Sequence, residues 1–403
     1  MRWRLNAGST PWQDPDTQMD QTRRPQSPER VALIFGPDDN DPERIERTVI
    51  LPPDFPYMEL RVLGAMLEAD DVFVPGYQPP PVGLYHPDAF IFEAQFEKIQ
   101  TILLPDRNIA SRMAKIVTGA PMDTHLRKIA AIMAFCHFLD VQIEPSIAFH
   151  ELAHTQGNDA ANLELARFRD ADNADPYPWL DLAFGELDAL DSMEPQHSPE
   201  RHNLAFPLRR WRRNYIAALK IAELEFSGCP NLDRMLGLLS WMRYDFIIAG
   251  PAALLACIYF APNSPPRRGL FKQLRSPNRL RAIDGVRNAA WDLTHLSEMI
   301  TKVNEANINQ TRLLFASFDE GLRILAGLLF TVSTENVSED LLIEALVPWW
   351  SRAHAERIAT SLVELLAGLG DESRKQRQAK SPVSIEDMIQ HGEELLMSTP
   401  GIS

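Results

Sequence analysis

The feature that most limits the folds open to this chain is a pair of short apolar runs, each stopped by an acid. Thr101-Ile102-Leu103-Leu104 ends at Pro105-Asp106-Arg107-Asn108, and Arg312–Ala316 ends at Ser317-Phe318-Asp319. Runs this short, with no polar alternation and a polar turn behind them, predict strands buried on both faces of a parallel sheet. Strands of that kind are joined by helices, so the flanking sequence should be helical. Ile109–Val117 and Leu126–Leu139 have helical spacing, Val141–Ile143 reads as a second short strand, and Pro145-Ser146 opens a further helix. In such sheets, ligand groups gather where the strands end.

The helix opened by Pro145 carries His150-Glu151-Leu152-Ala153-His154. Two histidines four apart share one helix face and suit a zinc ion, with Glu151 as general base of a metallopeptidase. Zinc needs a third protein ligand. Gly157 fits one extended form of the motif, but Ala160 stands where its last histidine belongs. In the other common form a glutamate lies on a second helix about twenty residues on; here that window holds Ala174 and Asp175, and Glu164 lies too near. The plainer reading of His150 and His154 is a solvated or capped helix face.

A different constellation accounts for Glu151. Asp106 and Asp319 each follow a predicted strand, and Asp292 lies in an amphipathic helix marked by Val286, Ala289, Ala290, Leu293, Leu296 and Ile300. Gathered carboxylates repel unless cations lie between them. Magnesium and manganese take such oxygen ligands. A pair of such ions can orient a water for attack on a phosphodiester.

These residues resemble the pattern of the PIN-domain nucleases. Asp106 in L-L-P-D-R-N matches an Asp after the first strand, and Glu151 matches a Glu on a helix 45 residues later (151 − 106). Asp292 in R-N-A-A-W-D-L matches a later helical Asp, and Ser317 with Asp319 matches a closing S/T-x-D. The Glu151–Asp292 gap of 141 residues (292 − 151) departs from a compact member and calls for a helical insertion.

The resemblance implies a PIN-like α/β/α core with a parallel sheet, a large helical insertion and helical flanking segments. It also implies a Mg2+- or Mn2+-dependent nuclease acting on RNA or single-stranded nucleic acid. Asp106, Glu151, Asp292 and Asp319 would be catalytic and hold metal, with Asn108 and Ser317 orienting them. The non-enzymatic alternative is a degenerate PIN-like scaffold that binds RNA or a protein.

Two basic stretches fit a nucleic-acid partner. Arg267, Arg268, Lys272, Arg275, Arg279 and Arg281 fall in a window without acids, and the first five are the candidate phosphate contacts. Arg209, Arg210, Arg212 and Arg213 surround Trp211, an aromatic able to stack on a base. The formal net charge of −15 argues against a general DNA-coating protein, and self-pairing with the acidic surface is the plain alternative for both stretches.

The rest of the chain sets boundaries. Residues 1–45 read as a flexible leader with a short strand at Val31–Phe35, and 46–100 as an N-terminal flanking segment with a strand at Thr48–Leu51 and helices at Met58–Leu67 and Phe90–Ile99. Residues 101–335 form the expected PIN-like domain with its insertion at about 200–265, and 336–403 a helical tail with a charged link at Asp371–Lys380. Asp170–Glu200 is acidic and broken by prolines. Cys136, Cys229 and Cys257 show no paired spacing and read as reduced thiols of a cytoplasmic protein. The uncharged run Phe246–Pro266 has too short an apolar core to span a membrane.

Overall fold

The computed structural model describes residues 29–35, 45–191, 201–264, 267–307, 309–333, 338–368 and 384–401. Most of the expected leader and the Asp371–Lys380 link lie outside those residues. The fold is mixed α/β and mostly helical, and it divides into two compact units. The first comprises Met1–Leu204 and Glu305–Phe318, the second Ala205–Asn304 and Asp319–Ser403.

The first unit opens with an antiparallel ribbon of β1 (Glu29–Phe35) and β2 (Ile45–Leu51). Helix α1 (Tyr57–Ala69) follows, burying Leu60, Leu63 and Leu67. Gly64 is required there: a Cβ at that position would lie 2.1 Å from the Tyr85 carbonyl oxygen. Strand β3 (Phe73–Pro75) leads to α2 (Pro87–Phe92), which starts at proline with the His86 ring accepting the Asp88 amide. The expected single helix over Phe90–Ile99 widens into a π-turn at Glu93–Glu97, stopped by Lys98 in the left-handed region (φ 58°).

Four strands then make a mixed sheet in the order β3-β6-β4-β5. Strand β4 (Gln100–Pro105) lies at its centre, parallel to β5 (Gln142–Ile143) on one side and to β6 (Thr311–Ala316) on the other. An all-parallel sheet was the expectation. The edge strand β3 corrects it, running antiparallel to β6 with Phe73 opposite Ala316. Three residues between a helix and a proline-rich loop are too few for a periodicity to show.

Helices α3 (Arg107–Ile116), α4 (Thr124–Phe138), α5 (Ser146–Gln156) and α6 (Asn158–Asp172) complete the unit with α7. Helix α7 (Pro176–Phe184) occupies part of the stretch read as broken acidic sequence. Its prolines start it, since Pro176 sits in the first turn behind the Asp175 cap, and it buries Trp179 and Leu182.

In the second unit the described elements are all helical. They are α8 (Arg209–Glu225), α9 (Asn231–Tyr244), α10 (Gly250–Tyr259), α11 (Arg267–Leu270), α12 (Arg279–Glu305), α13 (Glu320–Ser333), α14 (Glu339–Leu346), α15 (Arg352–Ala367) and α16 (Ile385–Ser398). The apolar α10 is a core helix: Ala252 through Tyr259 are buried, and the Trp350 indole donates to the Cys257 carbonyl at 2.8 Å. Among the described residues no helix is long and apolar enough to cross a membrane.

Candidate functional site

The parallel run of β4, β5 and β6 brings their carboxyl ends to one edge of the sheet, and Asp106 stands at that edge. Its amide donates to the Ala316 carbonyl at 2.9 Å, carrying the β4–β6 ladder one residue past the last strand pair. Its backbone is extended, so its side chain turns over the start of α3 and accepts the Ile109 amide through Oδ1 at 2.8 Å. The other oxygen, Oδ2, accepts the Ser317 hydroxyl at 2.6 Å. Asp106 is 3% exposed and Ser317 is fully buried. Two positions 211 residues apart are therefore joined by a buried, charge-assisted hydrogen bond.

The same edge receives α5. Strand β5 ends at Ile143, the Glu144 amide donates to the Leu103 carbonyl at 2.8 Å, and α5 begins at Ser146. Phe149, Leu152 and Ala153 are buried and hold one face of α5 against the unit. Glu151 lies on its half-buried flank, five residues from the helix start. Asn108 is exposed in the first turn of α3, and its carbonyl accepts the Ser111 hydroxyl and the Arg112 guanidinium. Arg107 grips Glu164 of α6 through two bonds of 2.6 and 3.1 Å, tying the α3 start to its neighbour. That pairing was not legible from spacing, because 57 residues separate the partners.

The histidines of the zinc motif are differently placed. The His150 Nδ1–H donates to the Leu204 carbonyl at 2.8 Å, and His154 is exposed near the end of α5. Residues 202–204 are fastened to α6 by two asparagines. Asn158 Nδ2 and Asn162 Nδ2 both donate to the His202 carbonyl, while their side-chain oxygens accept the Leu204 and His202 amides. No motif announced that clamp.

Asp292 and Asp319 belong to the second unit. Asp292 is half-buried on α12, with the Asn288 amide group 3.4 Å from its Oδ2. Asp319 caps α13, accepting the Leu322 amide at 3.2 Å, and Lys272 Nζ lies 3.8 Å from its carboxylate. Among the described residues, no group of three or more His, Cys, Asp and Glu stands close enough together to hold a metal ion.

In the basic stretch of that unit, Lys272, Arg275 and Arg281 are exposed and Arg279 is not. Arg279 is buried, and its guanidinium donates to the carbonyls of Leu274, Ser276 and Leu396 while lying over the Phe226 ring. Arg275 pairs with the buried Glu225 at 2.6 Å, and Arg234 holds that carboxylate from its other oxygen at 2.9 Å. Gly285 of α12 lets the backbone of Lys272 press against it, since a Cβ there would lie 1.7 Å from the Lys272 carbonyl oxygen. Lys272 itself is exposed. Helix α11 contains Arg267 and Arg268. Trp211 is stacked on Tyr215 and tilted against Trp291, so its ring is engaged inside the unit.

Compared with protein-family models, with curated proteins and with solved structures, the chain gives no match.

Proposed function

We propose that the chain is a PIN-like, metal-dependent nuclease that hydrolyses phosphodiester bonds in RNA. The observation that carries this reading is the buried bond from Ser317 to Asp106 at 2.6 Å, made where adjacent parallel strands end. A fold has no need of a serine at that point to cap α3, because the Asp106 Oδ1 already does so. The hydroxyl fixes the carboxylate's rotamer, as a group positioned behind a metal ligand does.

Asp106 and Glu151 would hold a Mg2+ or Mn2+ ion, whose oxygen preference they suit. Bound there, the ion would polarise a phosphoryl oxygen and acidify a water. The chain's own part is to hold the Asp106 carboxyl in place through Ile109 and Ser317, and to present Glu151 from a helix anchored by Phe149 and Leu152. Asp292 and Asp319 enter the reading through the motif, and RNA through the family resemblance.

Cleavage of an end-labelled single-stranded RNA in Mn2+ tests this. Asp106→Asn and Asp292→Asn should each abolish cleavage, while His154→Ala leaves it within about twofold. RNA binding without any metal-dependent cleavage by the wild type would return the chain to a binding scaffold. The zinc-peptidase reading retains one observation: the His150 Nδ1–H bond to the Leu204 carbonyl fixes the ring's orientation, as a bond behind a metal-ligating histidine does. Stoichiometric zinc in the purified protein, lost on His154→Ala, would establish that rival instead.

A further inference from the structure

Helix α16 carries Glu386, Asp387, Glu393 and Glu394 and no lysine or arginine. It packs along α8, whose first turns carry Arg209, Arg210, Arg212 and Arg213. The two helices and α12 all belong to the second unit.

Helix α16 makes both charged and apolar contacts. Arg212 of α8 pairs with Glu386. Glu393 accepts both the Tyr215 hydroxyl of α8, at 2.5 Å, and the Arg287 guanidinium of α12, at 2.8 Å. Burial first, then the Glu393 hydrogen bond, pushes the Tyr215 hydroxyl well above its usual titration range. Leu396 is the buried side chain of the helix, and Gly392 rests against Leu219. Half-buried Ile385, Met388, Ile389 and Leu395 seat the helix together with these part-exposed ion pairs, and the ion-pair share of its hold is sensitive to salt.

The surface beside it is positive beyond what α16 neutralises. Arg209 and Arg213 are one helical turn apart and hold no ion pair among the described residues. Burial and the neighbouring charge of Arg209 both hold the Arg213 guanidinium below its usual range. Arg212 becomes available to a ligand once Glu386 withdraws, and Arg287, which keeps Asp284 at 3.4 Å, loses its closer carboxylate once Glu393 does. A row of guanidinium groups that accepts carboxylates suits phosphates equally, as forked donors do.

We propose that α16 is an acidic strap covering an RNA-backbone-binding face of α8 and α12 made by Arg209, Arg212, Arg213 and Arg287, and that RNA binds there by displacing it. The choice of RNA as the polyanion rests on the proposed function.

The test is the binding of a fluorescent single-stranded RNA oligomer in a chelator, so that no cleavage intervenes. The double variant Glu386→Gln with Glu393→Gln should bind about fivefold more tightly than the wild type, the scale of two part-exposed charge pairs. Its salt dependence should steepen, since each phosphate newly held adds about 0.7 to the slope for a single strand. Adding Arg212→Ala and Arg287→Ala to that variant should remove the gain.

A covalent lock gives the converse. A Cβ at position 392 would lie 3.0 Å from the Leu219 Cβ, so Leu219→Cys with Gly392→Cys, in a Cys229→Ser background, needs a shift of only about 0.5 Å to reach disulfide spacing. Oxidation should weaken RNA binding below the wild-type level, and reductant should restore it. Equal affinity of wild type and the Gln variant, or a lock without effect, overturns the strap. Loss of cleavage activity with this binding behaviour intact would instead overturn the nuclease reading alone.

Discussion

Asp106 and Asp319 begin their helices in the same way and live in different surroundings. Each follows a strand of the sheet, and each accepts the amide three residues on, Ile109 for one and Leu322 for the other. Asp106 is 3% exposed and its second oxygen is held by a buried hydroxyl. The Asp319 side chain is 31% exposed and has a lysine nitrogen 3.8 Å away. The cap is a local property that any exposed helix start can have. Burial turns it into a tertiary constraint, because a buried carboxylate that loses a partner bears the full cost of desolvation.

The sharpest way to break this comparison is Asp106→Ala. It removes the α3 cap and leaves the Ser317 hydroxyl and the Ile109 amide without their acceptor, together costing about 3 kcal/mol. The loss should be read from chemical denaturation with hydrogen exchange of α3 amides, because two units need not unfold in one step. Ser317→Ala comes next, at about 1.5–2 kcal/mol, from a buried charged oxygen losing its donor. If it costs nothing, the hydroxyl is not what holds Asp106.

Asp319→Ala should cost only about 0.5–1 kcal/mol, the value of an ordinary cap, and Asp319→Asn close to nothing, since asparagine caps as well. A loss equal to that of Asp106→Ala would erase the distinction between the two sites. In the presence of Mn2+ the wild type should gain in melting temperature more than Asp319→Asn does, if Asp319 binds the ion.

The smallest effect sharpens the role of burial. Glu93 is buried, with Arg312 3.4 Å from Oε1 and no partner at Oε2 among the described residues. Burial raises its pKa despite the opposing charge of Arg312. The native state therefore keeps this proton to higher pH than the unfolded chain does. The stability that follows is complete below the ordinary glutamate range and is lost as pH rises through the raised folded pKa. Glu93→Gln mimics the protonated form, so its melting temperature relative to the wild type should be more favourable at pH 8 than at pH 5. A difference independent of pH would mean that Glu93 is as ionisable in the fold as outside it.

Much of the local structure was legible because it follows from short-range chemistry. The strand ending at Asp106, the helix opened after Pro145 and the run Arg312–Ala316 all appear within a residue or two of their expected ends. The elements that escaped are those whose signal is non-local or too brief. Strand β3 exists because β6 lends it a ladder, α7 reads as a loop unless its prolines are taken as a helix start, and the π-turn at Glu93–Glu97 interrupts an otherwise regular apolar spacing. Arg279 illustrates the limit for charge. In sequence it is one more cation in a basic stretch, and in the fold it is a buried donor to three carbonyls.

By itself the sequence determined where strands stop, where helices start and which acids stand at those points, since apolar runs, prolines and capping residues act over a few positions. Only the tertiary structure decided that Ser317 reaches Asp106 across 211 residues, that the Trp211 ring stacks on Tyr215 and tilts against Trp291, and that the acidic helix α16 pairs with Arg212 of α8. Those outcomes depend on which surfaces are buried together. Burial sets the strength of a hydrogen bond or ion pair, and no spacing along the chain records it.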